Sequence, residues 1–104
     1  MSDMPDVVNN DLEHRFELSL GGDIAVAVYR LVHGAIILEH TEVPEAFEGK
    51  GVGSGLARAA MQYAREHGLK VIPLCPFMAA YMQKHPETHD LVHHLYRERL
   101  GIAA

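Results

Sequence analysis

The sequence predicts an α+β fold: an antiparallel meander of three strands, then one parallel strand–helix–strand unit, then closing helices. Three observations carry that expectation. Between His14 and Val43, apolar residues either alternate with polar ones or run without a break in three short segments. Glycine-containing turns separate those segments. After Pro44 the apolar spacing changes to a helical period, and a short apolar segment follows it.

Taken in order, residues 1–13 are polar, with Pro5 and the pair Asn9-Asn10, and read as a loosely ordered lead-in to a single domain over 14–104. Phe16, Leu18 and Leu20 alternate with Glu17 and Ser19, the pattern of a strand with one buried face. Gly21-Gly22-Asp23 supplies the positive φ of a hairpin turn. The run Ile24 to Val32 is apolar on both alternating sets and reads as a central strand. His33-Gly34 turns the chain into a third strand, Ala35 to Val43. Glu45 to Lys50 form a loop. Between Gly51 and Gly68, residues Leu56, Ala59, Ala60, Tyr63, Ala64 and His67 fall at helical spacing, and Gly68 terminates that helix. Residues 69–74 give a fourth strand. Because a crossover helix precedes it, it is expected to lie parallel to the third. Pro76 opens a second helix that runs to about Lys84 and stops before Pro86. Thr88 is expected to cap a last helix with Leu91, Val92, Leu95 and Tyr96 as its apolar stripe.

The 104 residues suffice for one domain with a real core, and 48% hydrophobic with 22% charged residues excludes a disordered chain. A net charge of −5 argues against a general nucleic-acid or anionic-membrane binder, which depends on a positive field. A single cysteine permits no internal disulfide and no four-cysteine zinc site. The start lacks the apolar centre of a signal peptide, and no apolar run is long enough to span a bilayer. The expected setting is therefore cytoplasmic.

The segment richest in information is Glu48-Gly49-Lys50-Gly51-Val52-Gly53-Ser54-Gly55, which joins a strand to a helix. Glycines let the backbone come close to a ligand, and free N–H groups at a helix start favour an anion. Two phosphate motifs fail here. A P-loop requires Ser or Thr after its Gly-Lys pair, whereas Gly51 follows Lys50. The dinucleotide fingerprint needs offsets of 0, 2 and 5, whereas these four glycines are spaced by two. A loop that merely permits a close turn is the alternative, but a glycine-dense loop at a helix start points first to anion binding.

At these residues the chain resembles the GNAT N-acetyltransferase superfamily, in particular its minimal, YjdJ-type branch. Its acetyl-coenzyme A motif, Gln/Arg-x-x-Gly-x-Gly/Ala, is matched over Glu48 to Gly53 in both required glycines, with Glu48 standing where Gln or Arg is usual. His40-Thr41-Glu42-Val43-Pro44 before the loop, and Ile72-Pro73-Leu74-Cys75-Pro76-Phe77 after the helix, also look like the minimal branch. The resemblance spans about Phe16 to Val92. It implies a minimal GNAT-like fold in which the two parallel strands splay to admit the pantetheine arm of acetyl-CoA. Glu42 and Val43 would bind that arm through their backbone, and the amides of Gly49, Lys50, Gly51, Val52, Gly53 and Ser54 would receive the pyrophosphate. Ordinary members carry N-terminal helices beside the acceptor site; here the sheet begins within about fifteen residues, so an open acceptor side is expected.

Acetyl transfer to an amine needs a neutral nucleophile, a donor for the carbonyl oxyanion and an acid for the leaving thiolate. His40 is a candidate base, or a strand histidine hydrogen-bonded in the sheet. Cys75, at a helix start, is a candidate acyl acceptor; otherwise it is a small buried apolar residue or lines the thioester pocket. Tyr81 stands where many relatives carry a tyrosine acid, and core packing with Phe77 and Met78 is its alternative. Lys50 and Arg58 would screen phosphates or be plain surface charges, and Met61, Met78 and Met82 fill the core. His85, His89, His93 and His94 read as a solvated face, so no metal is expected. The functional expectation is an N-acetyltransferase that moves an acetyl group from acetyl-CoA to an unidentified amine. A non-catalytic acyl-CoA-binding or sensing module is the alternative.

Overall fold

A computed structural model describes residues 6–47 and 49–102. Its single sheet has five strands in the order of the chain: β1 (Val8–Asn10), β2 (Arg15–Leu20), β3 (Asp23–Val32), β4 (Ala35–Glu42) and β5 (Lys70–Pro73). The first four are antiparallel neighbours, while β4 and β5 pair in parallel from Ala35↔Lys70 to Leu38↔Pro73. Helix α1 (Val52–Glu66) crosses between them and packs on β2, β3, β4 and β5. Helix α2 (Pro76–Lys84) follows β5 directly. The meander, the parallel unit and both helices are as expected.

The core lies between one sheet face and α1. Val52, Leu56, Ala60 and Ala64 recur every four residues and are buried, as are Phe16, Leu18, Ile36 and Leu38 from the strands. Met61, Met78 and Met82 are buried in the same cluster, as expected. Ala59 and Tyr63 pack only partly against it, and His67 is exposed.

Two elements differ from expectation. Val8–Asn10, expected in the loose lead-in, form β1 against β2, while residues 1–5 of that lead-in lie outside the described residues. The cause is tertiary. The Tyr29 hydroxyl donates to Asn9 Oδ1 at 2.7 Å, and Asn10 Nδ2 donates to Glu17 Oε2 at 3.0 Å, so two asparagines anchor a strand too short and polar to announce itself. The C-terminal region forms no α-helix. It makes two 3₁₀ segments, Pro86–Leu91 and His94–Tyr96, and between them Val92 forms a parallel bridge with Val71. The open edge of β5 supplies the reason: His93 N donates to Val71 O at 2.9 Å, a bond that a continuous helix could not make. Thr88 caps nothing. It sits inside the first 3₁₀ segment, buried, with its hydroxyl donating to His85 O at 2.7 Å.

Glu17 also ties β1 and β2 together electrostatically. Arg15 Nε donates to its carboxylate at 2.6 Å and Asn10 adds a second hydrogen bond, which together hold Glu17 below the usual carboxylate range. A depressed folded value stabilises the fold above the unfolded value, and that contribution disappears as the pH falls through the folded one. Glu17→Gln is therefore expected to lower stability at neutral pH by under about 1 kcal/mol, and the melting temperature slightly with it. The difference from the wild type should begin to narrow as the pH falls through the ordinary glutamate range and close once the depressed folded carboxyl is itself protonated. Thermal melts of both proteins across that range check this.

Candidate functional site

Three features meet at the carboxyl ends of β4 and β5. The first is the divergence of the two strands. Cys75 N donates to Leu38 O at 2.9 Å, the last bond joining them, and no residue of β5 pairs with Glu39–Glu42. The outward backbone edge of β4 is thereby left open as far as Val43.

The second is a β-bulge in β4. Tyr29 pairs with Leu38 but Val28 pairs with His40, so Glu39 is the extra residue. Leu38 is buried, Glu39 and His40 are both exposed, and Thr41 is again half-buried. The bulge thus returns Thr41 to the core side, where the Cys75 thiol donates to Thr41 Oγ1 at 3.3 Å. His40 is carried to the opposite face, and its Nε2 lies 3.0 Å from Glu42 Oε1. The structure therefore joins Cys75 to Thr41, a residue that strand alternation alone does not single out, and separates His40 from both.

The third is the start of α1. Gly49 has φ 78° and Gly51 φ 72°, the left-handed region that only glycine enters freely. The turn they make ends in a helix whose first bond is Gly55 N to Gly51 O at 3.0 Å. The N–H groups of Val52, Gly53 and Ser54 consequently have no intrahelical acceptor, no side chain among the described residues caps them, and the first turn of the helix holds no acid. An uncapped helix start without carboxylates suits an anion. Glu48, the departure from the superfamily motif, lies outside the described residues.

These amides border an open depression of about 390 Å³, lined by Val43, Phe47, Gly49, Phe77 and the run from Gly51 to Ser54. Two of its walls were not legible as site residues. Phe47 is 3% exposed, held by a 3₁₀ turn over Glu45–Phe47. Phe77, expected among core residues, is instead 41% exposed, with its ring against Gly53. A Cβ at Gly53 would lie 2.7 Å from Phe77 Cζ, so glycine here allows the aromatic ring to close on the loop.

Tyr81 is placed elsewhere. It lines a second, smaller depression with Ser54, Phe77, Ala80, Lys84 and His85, and its ring stacks on His85 with centroids 4.0 Å apart. Burial pushes its hydroxyl above the usual tyrosine range, with nearby Arg58 opposing and Glu87 adding to that rise. Neither Cys75 nor His40 lines this second depression.

Cys75 is 5% exposed and stands at the N-cap of α2. Pro76 has no N–H, and Ala79 N is the first to bond back, to Cys75 O at 3.0 Å, which leaves the N–H groups of Phe77 and Met78 without a helical acceptor. Two backbone donors therefore stand free at the helix start that Cys75 caps, a setting that favours negative charge.

The histidines are separately engaged. His85 Nδ1 lies 3.1 Å from Glu87 Oε2, His89 Nε2 contacts Met82 O at 2.8 Å, and His93 stacks on His94. Among the described residues no three His, Cys, Asp or Glu gather as a metal site, and no helix is long and apolar enough to cross a membrane.

Comparison with known proteins agrees with this geometry. Residues 15–91 match the family model of the GCN5-related N-acetyl-transferases. The chain is 37% identical over 93 residues to Protein NATD1 of Gallus gallus, covering 86% of this chain and 84% of that one. Protein NATD1 of Xenopus tropicalis is 39% identical over 83 residues, 76% of either chain. The fold is similar to the NMR solution structure of a GCN5-like protein from Staphylococcus aureus, with a TM-score of 0.68, 29% identity and coverage of 89% and 91% of the two chains. A splayed parallel strand pair, a glycine turn opening an uncapped helix, and a family match across three-quarters of the sequence lead to one assignment: the chain belongs to the GCN5-related N-acetyltransferase family.

Proposed function

We propose that this protein transfers an acetyl group from acetyl-coenzyme A to an amine. The observation that carries the reading is the acid-free, uncapped start of α1 behind Gly49 and Gly51, facing a depression that Val43 connects to the open edge of β4. The amides of Val52, Gly53 and Ser54 receive the pyrophosphate, with Gly49, Lys50 and Gly51 shaping the turn around it. The backbone of Glu42 and Val43 binds the pantetheine arm as an added strand. That course brings the thioester to the gap where β4 and β5 part, beside Cys75.

In this reading Thr41 holds the Cys75 thiol in place, and the sulfur attacks the thioester carbonyl. The C–S bond to coenzyme A breaks, the coenzyme leaves as its thiol, and the Phe77 and Met78 amides stabilise the oxyanion formed on the way. A neutral amine then attacks the acetyl-cysteine, releasing the amide and restoring the thiol. His40 is set to accept a proton only from an amine that approaches the exposed face of β4. Tyr81, grouped with Lys84 and His85, is given no part in these steps. The acceptor is an amine not otherwise specified, and neither nucleic acid nor membrane is a partner in this account.

The test is to incubate the protein with acetyl-CoA and read its intact mass, then add a panel of amines. One added acetyl group on Cys75, removed by an amine with release of product, supports the reading. A mass that never changes, with no coenzyme released to any amine, would sink it.

A further inference from the structure

A sheet has two faces, and α1 and α2 share a core with only one of them. Phe16, Leu18, Ala27, Ile36 and Leu38 join residues of both helices in that core. Alternation and register put the intervening strand residues on the other face, and none of the core cluster lies there. An apolar band crosses it: Ile24, Val26 and Val28 on β3, Ile37 on β4 and, directly opposite Ile37, Ile72 on β5. Val26 and Ile37 are 8% and 9% exposed yet stand outside the core cluster, so they are sheltered by neighbours on their own face. Ile24 remains 46% exposed. A contiguous apolar surface of this kind marks a contact face.

The charges around the band are already balanced. Arg15 pairs with Glu17 at 2.6 Å and Arg30 with Glu39 at 3.3 Å, while His40 lies 3.0 Å from Glu42. Lys70, the remaining cation, donates to Asp90 O at 2.7 Å. Arg15, Arg30 and Lys70 thus offset Glu17, Glu39 and Glu42, and the whole net charge of −5 resides off this face. Two copies of an acidic chain repel each other through most of their surface. This neutral face is where they meet without that penalty, and its charges enter the contact with partners in place.

Its size is sufficient. Five strands about 4.8 Å apart, with β3 ten residues long, make a surface of roughly 20 by 25 Å. Two such faces bury on the order of 1,000 Å², the threshold of a specific interface.

We propose that a second copy of this chain covers the bare sheet face, giving a two-fold dimer in which the two sheets stack about 10 Å apart. The inference stands apart from the coenzyme reading. The parted ends of β4 and β5 lie at the margin of the sheet and stay open at the rim of such a dimer.

Light scattering or sedimentation of the full chain over a concentration series tests this. The wild type is expected to move reversibly to twice the chain mass as concentration rises. Ile24→Lys/Val28→Lys sets like charges against each other across the two-fold axis and should weaken dimerisation at least about a hundredfold. Leu95→Lys, which removes an exposed leucine outside the sheet, should leave it unchanged. Thermal melting checks each fold. Arg30→Glu, at an exposed position, supplies the same readout should the double variant unfold. A wild type that stays monomeric at every concentration would give the face to some other occupant and overturn the proposal. So would a dimer that both face variants leave intact.

Discussion

Replacing Cys75 with alanine is expected to slow acetyl transfer by roughly a hundredfold or more, as removal of an attacking group does. Acetyl-CoA affinity should be unchanged, because the pyrophosphate and pantetheine contacts come from the glycine loop and β4. The prediction follows from position: a nearly buried sulfur at the end of the last bond joining two diverging strands, with two free amides following it. Thr41→Val gives the graded control. It keeps the shape of the side chain and removes the hydroxyl 3.3 Å from the thiol, so transfer should drop by about five- to tenfold, the value of one such hydrogen bond. Steady-state rates at saturating acetyl-CoA, set beside titrated affinities, read both effects. Full activity of Cys75→Ala would mean that the amine attacks the thioester directly and that Cys75 only lines the pocket.

The second large effect belongs to Gly51. At φ 72° a β-branched side chain is severely strained, so Gly51→Val is expected to cost about 1–2 kcal/mol. For a domain of this size, each kcal/mol lowers the melting temperature by roughly 4–8 °C. The greater loss is functional. The strain is relieved only by turning the peptide that aims the Val52 amide, so acetyl-CoA binding should disappear in a protein that still folds. Gly53 works differently. Its φ is unremarkable, and a methyl group there meets the end of the half-exposed Phe77 ring, which has room to swing outward. Gly53→Ala should therefore reshape one wall of the depression and leave its floor in place.

The sequence made most of the frame legible because period-2 and period-3.6 patterns report burial directly. The three central strands, the parallel β5 and both helices lie where alternation and spacing put them. What escaped depends on contacts distant in sequence. β1 rests on Tyr29 and Glu17 reaching back to Asn9 and Asn10, and nothing in Val8–Asn10 alone indicates a strand. The last helix gave way to 3₁₀ turns because β5 offered Val92 and His93 an edge to pair with. At the site, the glycine loop was legible as a motif, since positive φ leaves a mark in composition. Thr41 was not, because a bulge at Glu39 reverses the face of every later residue in β4 and has no sequence signature of its own. The same reversal takes His40, a candidate base, away from Cys75.

If the glycine turn and the parted strands form an acetyl-CoA site, calorimetric titration of acetyl-CoA into the full chain detects it. A micromolar dissociation constant is expected for the wild type, and no measurable heat of binding for Gly51→Val shown to be folded. A folded wild-type chain that binds neither acetyl-CoA nor coenzyme A would contradict it, and would leave the family likeness as one of fold alone.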